Sequence, residues 1–240
     1  CVTGASRGIG AEICLELANH GFIVIGLARG INKIQELSKR IENDKHGKII
    51  ARKCNVENEN EILESFQWIK QSFGKLDIFV NNAGVMMPDL TLIEKTENIR
   101  KMFDVNVIAL FTCVREAVKV MKETSVKGHI IVINSILGHK VPDIPRQIKP
   151  PFGFYPATKF AVNGFCQTLR QELNYETLPI KLTSVSPGMV DSEMINCMDE
   201  ELVKSLPKLS TVDVAKAVLF AITTPHRVKI DEIVMNAMDC

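Results

Sequence analysis

The 240-residue sequence predicts an α/β protein. The expected architecture is one domain over residues 1–240, a doubly wound parallel sheet of about seven strands with helices on both faces. Three observations carry this. Short apolar runs rich in β-branched residues alternate along the chain with longer segments of helical period. The runs are apolar throughout, not at every second residue, as strands covered on both faces require. Finally, 46% hydrophobic and 24% charged residues, with no linker, repeat or low-complexity tract, suit one large domain.

Cys1-Val2 reads as the tail of a first strand, most of which, with any targeting signal, is expected to be missing. A glycine-rich turn then opens a helix near Ile9–His20. Phe22–Ala28 is the second strand, followed by a helix near Lys33–Asn43. Lys48–Lys53 is the third strand and Glu59–Phe73 the third helix. Leu76–Val80 is the fourth strand, running into Asn81-Asn82-Ala83-Gly84. One long helix is expected over Asn98–Thr124. His129–Ile133 is a strand, Tyr155–Glu176 a helix, Ile180–Val185 a strand, Val212–Thr223 a helix and Glu232–Met235 the last strand. Right-handed crossovers between successive parallel strands place the helices on both faces.

The turn Thr3-Gly4-Ala5-Ser6-Arg7-Gly8-Ile9-Gly10 joins a strand to a helix. Glycines there let the backbone approach a pyrophosphate, while the helix N-terminus offers free N–H groups and a partial positive charge. The order of glycines departs from the G-x-G-x-x-G template, so the turn alone is a moderate signal. NAD sites commonly carry an acid ~20 residues beyond the glycines to hold a ribose hydroxyl. Here the second strand ends Gly26-Leu27-Ala28-Arg29. Ala28 leaves room, and Arg29 and Arg7 supply two guanidiniums suited to a 2′-phosphate, so NADP(H) is the expected cofactor.

Tyr155 and Lys159 stand four apart at the start of a helix and so share one face. A phenol has an ordinary pKa of ~10, and a neighbouring ammonium lowers it toward the range of a general acid or base. With Thr3-Gly4-x-x-x-Gly8-Ile9-Gly10, Asn81-Asn82-Ala83-Gly84, Asn106, Ser135 and Pro187-Gly188 in this order, the chain resembles the short-chain dehydrogenase/reductase family from Thr3 nearly to its end.

The resemblance implies a Rossmann fold and catalytic roles for Asn106, Ser135, Tyr155 and Lys159. Tyr155 would move the substrate proton and Ser135 would hold the substrate oxygen. Lys159 would lower the tyrosine pKa and hold the nicotinamide ribose, and Asn106 would anchor a proton-relaying water chain. The cofactor would lie along Gly4, Ser6, Arg7, Gly8, Ile9 and Gly10, then Arg29, Asn55 and Val56, then Asn82, Ala83 and Gly84. Beyond these it would meet Tyr155 and Lys159, and Pro187, Gly188, Val190 and Ser192. Asn55 stands where the family more often has Asp, and Ser192 where it usually has Thr.

Phrases such as Asn134-Ser135-Ile136-Leu137-Gly138-His139 are most similar to insect farnesol dehydrogenases and to vertebrate dehydrogenase/reductase member 11, a carbonyl and ketosteroid reductase. The substrate expected is a small apolar alcohol or carbonyl compound, and a homodimer or homotetramer is implied. The interval from Ser135 to Tyr155 is longer than usual in the family. Substrate-pocket segments are expected near 136–154 and 189–210, the second with apolar residues from Met189 to Leu206 at helix-like intervals. Met86, Met87, Met189, Met194 and Met198 suit either a flexible pocket or packing. His139 is expected to be a loop histidine.

With 29 basic and 28 acidic side chains, nothing points to nucleic acid. No apolar run approaches the ~20 residues of a membrane span. No cluster has metal-ligand spacing. Seven cysteines, an odd number with no C-x-x-C pair, suggest free thiols and a cytoplasmic protein. A dinucleotide-sensing protein without catalysis would have lost Tyr155 or Lys159, and a methyltransferase would need neither them nor the basic site.

Overall fold

The computed structural model describes residues 1–41 and 47–238. Its strands are β1 (Val2–Thr3), β2 (Ile23–Ala28), β3 (Lys48–Lys53), β4 (Ile78–Asn81), β5 (His129–Ile133), β6 (Lys181–Pro187) and β7 (Glu232–Met235). They form one parallel sheet in the order β3-β2-β1-β4-β5-β6-β7. The helices are α1 (Gly8–Asn19), α2 (Asn32–Ser38), α3 (Glu59–Phe73), α4 (Thr96–Phe103), α5 (Ala109–Glu123), α6 (Tyr155–Tyr175), α7 (Glu200–Ser205) and α8 (Thr211–Thr223).

Alternate residues of each inner strand feed two cores, one per face. Val24 and Ala28 of β2, with Ile131 and Ile133 of β5, pack toward α1 and α8. Ile25 and Leu27, with Ile130 and Val132, pack toward α3, α5 and α6. This double burial is why the strands are apolar throughout. Local signals set the ends of several helices. The Asn58 side chain accepts the N–H groups of Asn60 and Glu61 to start α3, and Gly74, at φ +72°, ends it. Ser210 and Asp213 cap α8 reciprocally.

β3, α3, β5 and β7 keep their expected bounds, and most others shift by one to three residues. Two segments differ more. The helix expected over Lys33–Asn43 stops at Ser38, and Asn43 lies outside the described residues. The helix expected over Asn98–Thr124 is broken by a π-helical turn, Asp104–Ile108, between α4 and α5. The helix-like intervals from Met189 to Leu206 appear as a 3-10 turn, Glu193–Cys197, and helix α7, while a second 3-10 turn, Ile136–Gly138, had no counterpart in the sequence pattern.

Strand order reverses direction between β1 and β4. Loops leaving the carboxyl ends of the strands there diverge to opposite faces and leave a crevice. That crevice is the candidate site.

Candidate functional site

One cavity of about 620 Å³ runs along the carboxyl ends of the strands. Its floor is the turn after β1. Gly4 has φ +67°, a conformation that side chains disfavour, and a Cβ there would stand 2.9 Å from Asn82 Nδ2. Gly10 does not reach the cavity. A Cβ on it would collide with Asn82 and the Gly4 carbonyl, so this glycine lets α1 close against the turn. Thr3, missed as a site residue, ties the turn together. Its hydroxyl donates to Asn81 Oδ1 at 3.1 Å and accepts the N–H groups of Asn82 and Ala83, both at 3.0 Å. The Asn82 amide answers by donating to the Thr3 carbonyl at 2.9 Å. Among the described residues no side chain caps the first turn of α1 by hydrogen bonding, and Gly8 and Ile9 of that turn line the cavity.

Ser6, Arg7, Gly8 and Ile9 line this floor, Arg29, Asn55 and Val56 line one end, and Ala83 and Gly84 line the wall after β4. The uncapped helix start, the close backbone and the two arginines fit a dinucleotide carrying a 2′-phosphate. Two carboxylates stand in the same cleft that the sequence pattern did not foresee. A Glu57 oxygen lies 3.8 Å from Arg29 Nη1. A Glu193 oxygen lies 3.5 Å from where a Cβ on Gly8 would be.

At the other end Ser135, Tyr155 and Lys159 converge, all buried and all lining the cavity. Ser135 leaves β5 with an extended backbone and caps the 3-10 turn, its Oγ accepting the Leu137 N–H at 3.1 Å. Tyr155 opens α6, and its ring packs with Met102 and Leu137. Lys159, one turn on, donates from Nζ to the Ile133 carbonyl at 3.1 Å and stands 5.5 Å from the centre of the Tyr155 ring.

Burial governs the electrostatics here. It holds the Tyr155 phenol above its ordinary range, with the Ser135 hydroxyl pulling the other way. It also lowers the Lys159 ammonium to about 8. Burial therefore sets the phenol's direction here, and the group that pulls it down is Ser135.

Asn106 is set back from these three residues. It lies in the π turn, buried behind the cavity wall and not lining it. Its Oδ1 accepts the Val85 N–H at 2.8 Å, and its Nδ2 donates to the Val85 carbonyl at 2.9 Å and to Thr158 Oγ1 at 3.1 Å. Thr158 in turn donates to the Tyr155 carbonyl at 2.7 Å. With its side chain fully engaged, Asn106 locks the loop after β4 to the start of α6. That is a positioning role and not a side-chain contact with reactants.

Beyond Tyr155 the cavity becomes apolar. Met86, Met87, Met189, Met194 and Met198 all line it, with Phe152, Ile195 and Leu206. Pro187, Gly188, Val190 and Ser192 lead from β6 into this lobe. Asp191 N–H donates to Leu209 at 2.8 Å and Leu209 N–H to Met189 at 2.9 Å, pinning both ends of the intervening flap. Pro142 brings the long segment before Tyr155 to the same lobe. His139 turns elsewhere: its Nε2 lies 3.0 Å from Ser186 Oγ and 3.0 Å from Glu232, tying the Ser135 turn to β6 and β7.

The six described cysteines are free, and Cys240 lies outside the described residues. Among the described residues no helix is long and apolar enough to cross a membrane.

Comparison with known proteins gives a consistent picture. The short chain dehydrogenase family model matches residues 1–202. Farnesol dehydrogenase from Aedes aegypti is 38% identical over 237 residues, covering 98% of this chain and 94% of the relative. Dehydrogenase/reductase SDR family member 11 from Homo sapiens is 39% identical over 244 residues, covering 98% and 92%. Among solved structures, a closed serine dehydrogenase complexed with NADP+ superposes with a TM-score of 0.84 at 28% identity, covering 98% of this chain and 92% of that one. A Burkholderia cenocepacia short chain dehydrogenase in complex with NADP gives 0.83 at 25% identity, covering 98% and 94%.

Proposed function

The chain belongs to the short-chain dehydrogenase family, and from that premise we propose that it is an NADP(H)-dependent oxidoreductase interconverting an apolar alcohol and its carbonyl compound. The observation that carries this is the course of one cavity. It joins two arginines and an uncapped helix start to Ser135, Tyr155 and Lys159, and continues into a lobe lined by five methionines. NADP(H) bound here supplies or accepts the hydride.

The chain's own residues do the rest. Ser135 holds the substrate oxygen through its hydroxyl. In reduction Tyr155 gives its proton to that oxygen, and burial keeps the phenol protonated near neutrality for this purpose. Lys159 offers its ammonium to the ribose and steadies the phenolate left behind. Asn106 and Thr158 fix the height of the Tyr155 backbone against the cleft. Arg7 and Arg29 would hold the 2′-phosphate, Asn55 and Val56 the adenine end, and Ser192 the carboxamide of the bound cofactor.

Segments 136–154 and 189–210 shape the substrate pocket. Methionines adapt to irregular apolar shapes, so a farnesol-sized chain fits this lobe better than a small polar alcohol. A panel of aldehydes assayed for NADPH consumption tests this, with kcat/KM expected to rise with chain length. Preference for short polar substrates would overturn it, and turnover of ketosteroids in place of prenyl aldehydes would assign the alternative, a carbonyl or ketosteroid reductase.

The oligomer we propose pairs copies of this chain through α5 and α6. Its support is the exposure of Phe111 on α5 and Phe160 on α6, beside Ile108. A monomer mass by light scattering would refute it.

A further inference from the structure

We propose that Glu57 determines how sharply the cleft discriminates between the phosphorylated and unphosphorylated dinucleotide, because its carboxylate competes with the 2′-phosphate for Arg29. The inference rests on the NADP(H) reading above and deepens it. Glu57 lies in the turn after β3. Its backbone N–H donates to Asn55 Oδ1 at 3.3 Å, while the Asn55 N–H donates to Glu61 Oε2 at 2.9 Å. These bonds fix the shape of the turn, and the Cys54 N–H, donating to the Ala28 carbonyl at 2.9 Å, holds it beside the end of β2. The Glu57 side chain is 31% exposed, that of Arg29 66%, and the pair is 3.8 Å apart. Both line the one cavity, and among the described residues Arg29 has no other ion-pair or hydrogen-bond partner.

An ion pair this long and this exposed is weak by itself and easily displaced. Its consequence appears when a second anion reaches the same guanidinium. A phosphate monoester brings about −1.5 to −2 charges at neutral pH. Glu57 is then either pushed off Arg29 or left facing like charge a few ångströms away. Either way part of the phosphate's gain is lost. A cofactor with a hydroxyl at the same place makes no such demand, so the carboxylate acts on NADP(H) alone and narrows the preference that Arg29 and Arg7 create.

Glu57→Gln keeps the size of the side chain and removes the charge. At low, fixed ionic strength the Kd for NADPH, read by fluorescence titration, is expected to fall about three- to tenfold, while that for NADH stays within about twofold. In calorimetry adenosine 2′-monophosphate should follow NADPH and adenosine 5′-monophosphate should follow NADH. Added salt should shrink the difference. An unchanged or weakened NADPH affinity overturns the proposal, since Glu57 would then be a bystander or a brace for Arg29. Equal tightening of both dinucleotides also overturns it, because it would mark a general charge effect. Arg29→Leu, measured alongside, separates this from the parent reading. If it weakens NADPH while Glu57→Gln changes nothing, only the competition fails; if it also changes nothing, the phosphate does not bind here.

Discussion

At one end of the cleft Ser135, Tyr155 and Lys159 are 8, 6 and 6% exposed; at the other, the Arg29 side chain is 66% exposed and faces Glu57 across 3.8 Å. Both ends handle charge, but under different conditions. Where water is excluded, desolvation dominates, moving the Lys159 ammonium to about 8 and the Tyr155 phenol above its ordinary range. Where water has access, charges are screened and their pairings are weak and additive. The buried end should therefore respond to substitution in an all-or-none way, and the exposed end in graded steps.

The largest effect should come from the buried end. Tyr155→Phe keeps the ring that packs on Met102 and Leu137 but removes the oxygen that moves the proton. The kcat is expected to fall about 10²–10⁴-fold, with the Kd for NADPH within about threefold of wild type. More than about a tenth of wild-type kcat remaining would mean that another acid serves, and that the buried end is not all-or-none.

The exposed end should give an intermediate effect. Ala28→Asp combined with Arg29→Leu adds a carboxylate for the ribose hydroxyls and removes one guanidinium. A charge-assisted bond contributes roughly 1.5–3 kcal/mol, so NADP(H) should bind about ten- to a hundredfold more weakly, with NAD(H) unchanged or tighter. Titration of both cofactors at one ionic strength reads the ratio. A ratio that does not move would show that the arginine is a solvated surface group.

The smallest effect is a pH dependence that only the buried end should show. Lys159 is charged below about 8 and loses its proton as pH rises through that value, whereas the phenol, raised by burial, stays protonated throughout. For carbonyl reduction, kcat/KM with NADPH as the varied substrate should therefore hold below about pH 8. Above it, kcat/KM should fall by up to about tenfold per unit. Guanidiniums do not titrate in this range, so a flat profile to pH 10 would place Lys159 in water's reach, like Arg29.

Much of this frame could be read from residue pattern. The spans Lys48–Lys53, Glu59–Phe73 and His129–Ile133 needed only apolar continuity and, for the helix, Asn58 and Gly74 at its ends. The cleft residues were legible because glycines, Tyr155 and Lys159 keep fixed spacings near strand ends. What escaped notice depends on contacts between distant segments. The π turn at Asp104–Ile108 follows from Asn106 reaching back to Val85 and across to Thr158, which helical periodicity does not record. Glu57 comes to Arg29 from the next strand's loop, so an end of β2 that reads as free of acid is not. Spacing placed Lys159 one turn from Tyr155 but carries no information on desolvation, which raises the phenol. His139 stands near Ser135 in sequence, yet its partners come from β6, β7 and α6.

The central claim, that this cleft passes a hydride between NADP(H) and an apolar carbonyl compound, is tested most directly on the intact protein by isotope transfer. The protein is incubated with NADPH deuterated on one face of C4 or the other, together with a farnesol-sized aldehyde, and the alcohol is examined by mass spectrometry. One deuterium should appear at the carbinol carbon from only one of the two labelled forms, and with Tyr155→Phe it should appear about 10²–10⁴-fold more slowly. Alcohol formed without deuterium from either form, or no alcohol from any apolar carbonyl compound while NADPH binds, would contradict the account.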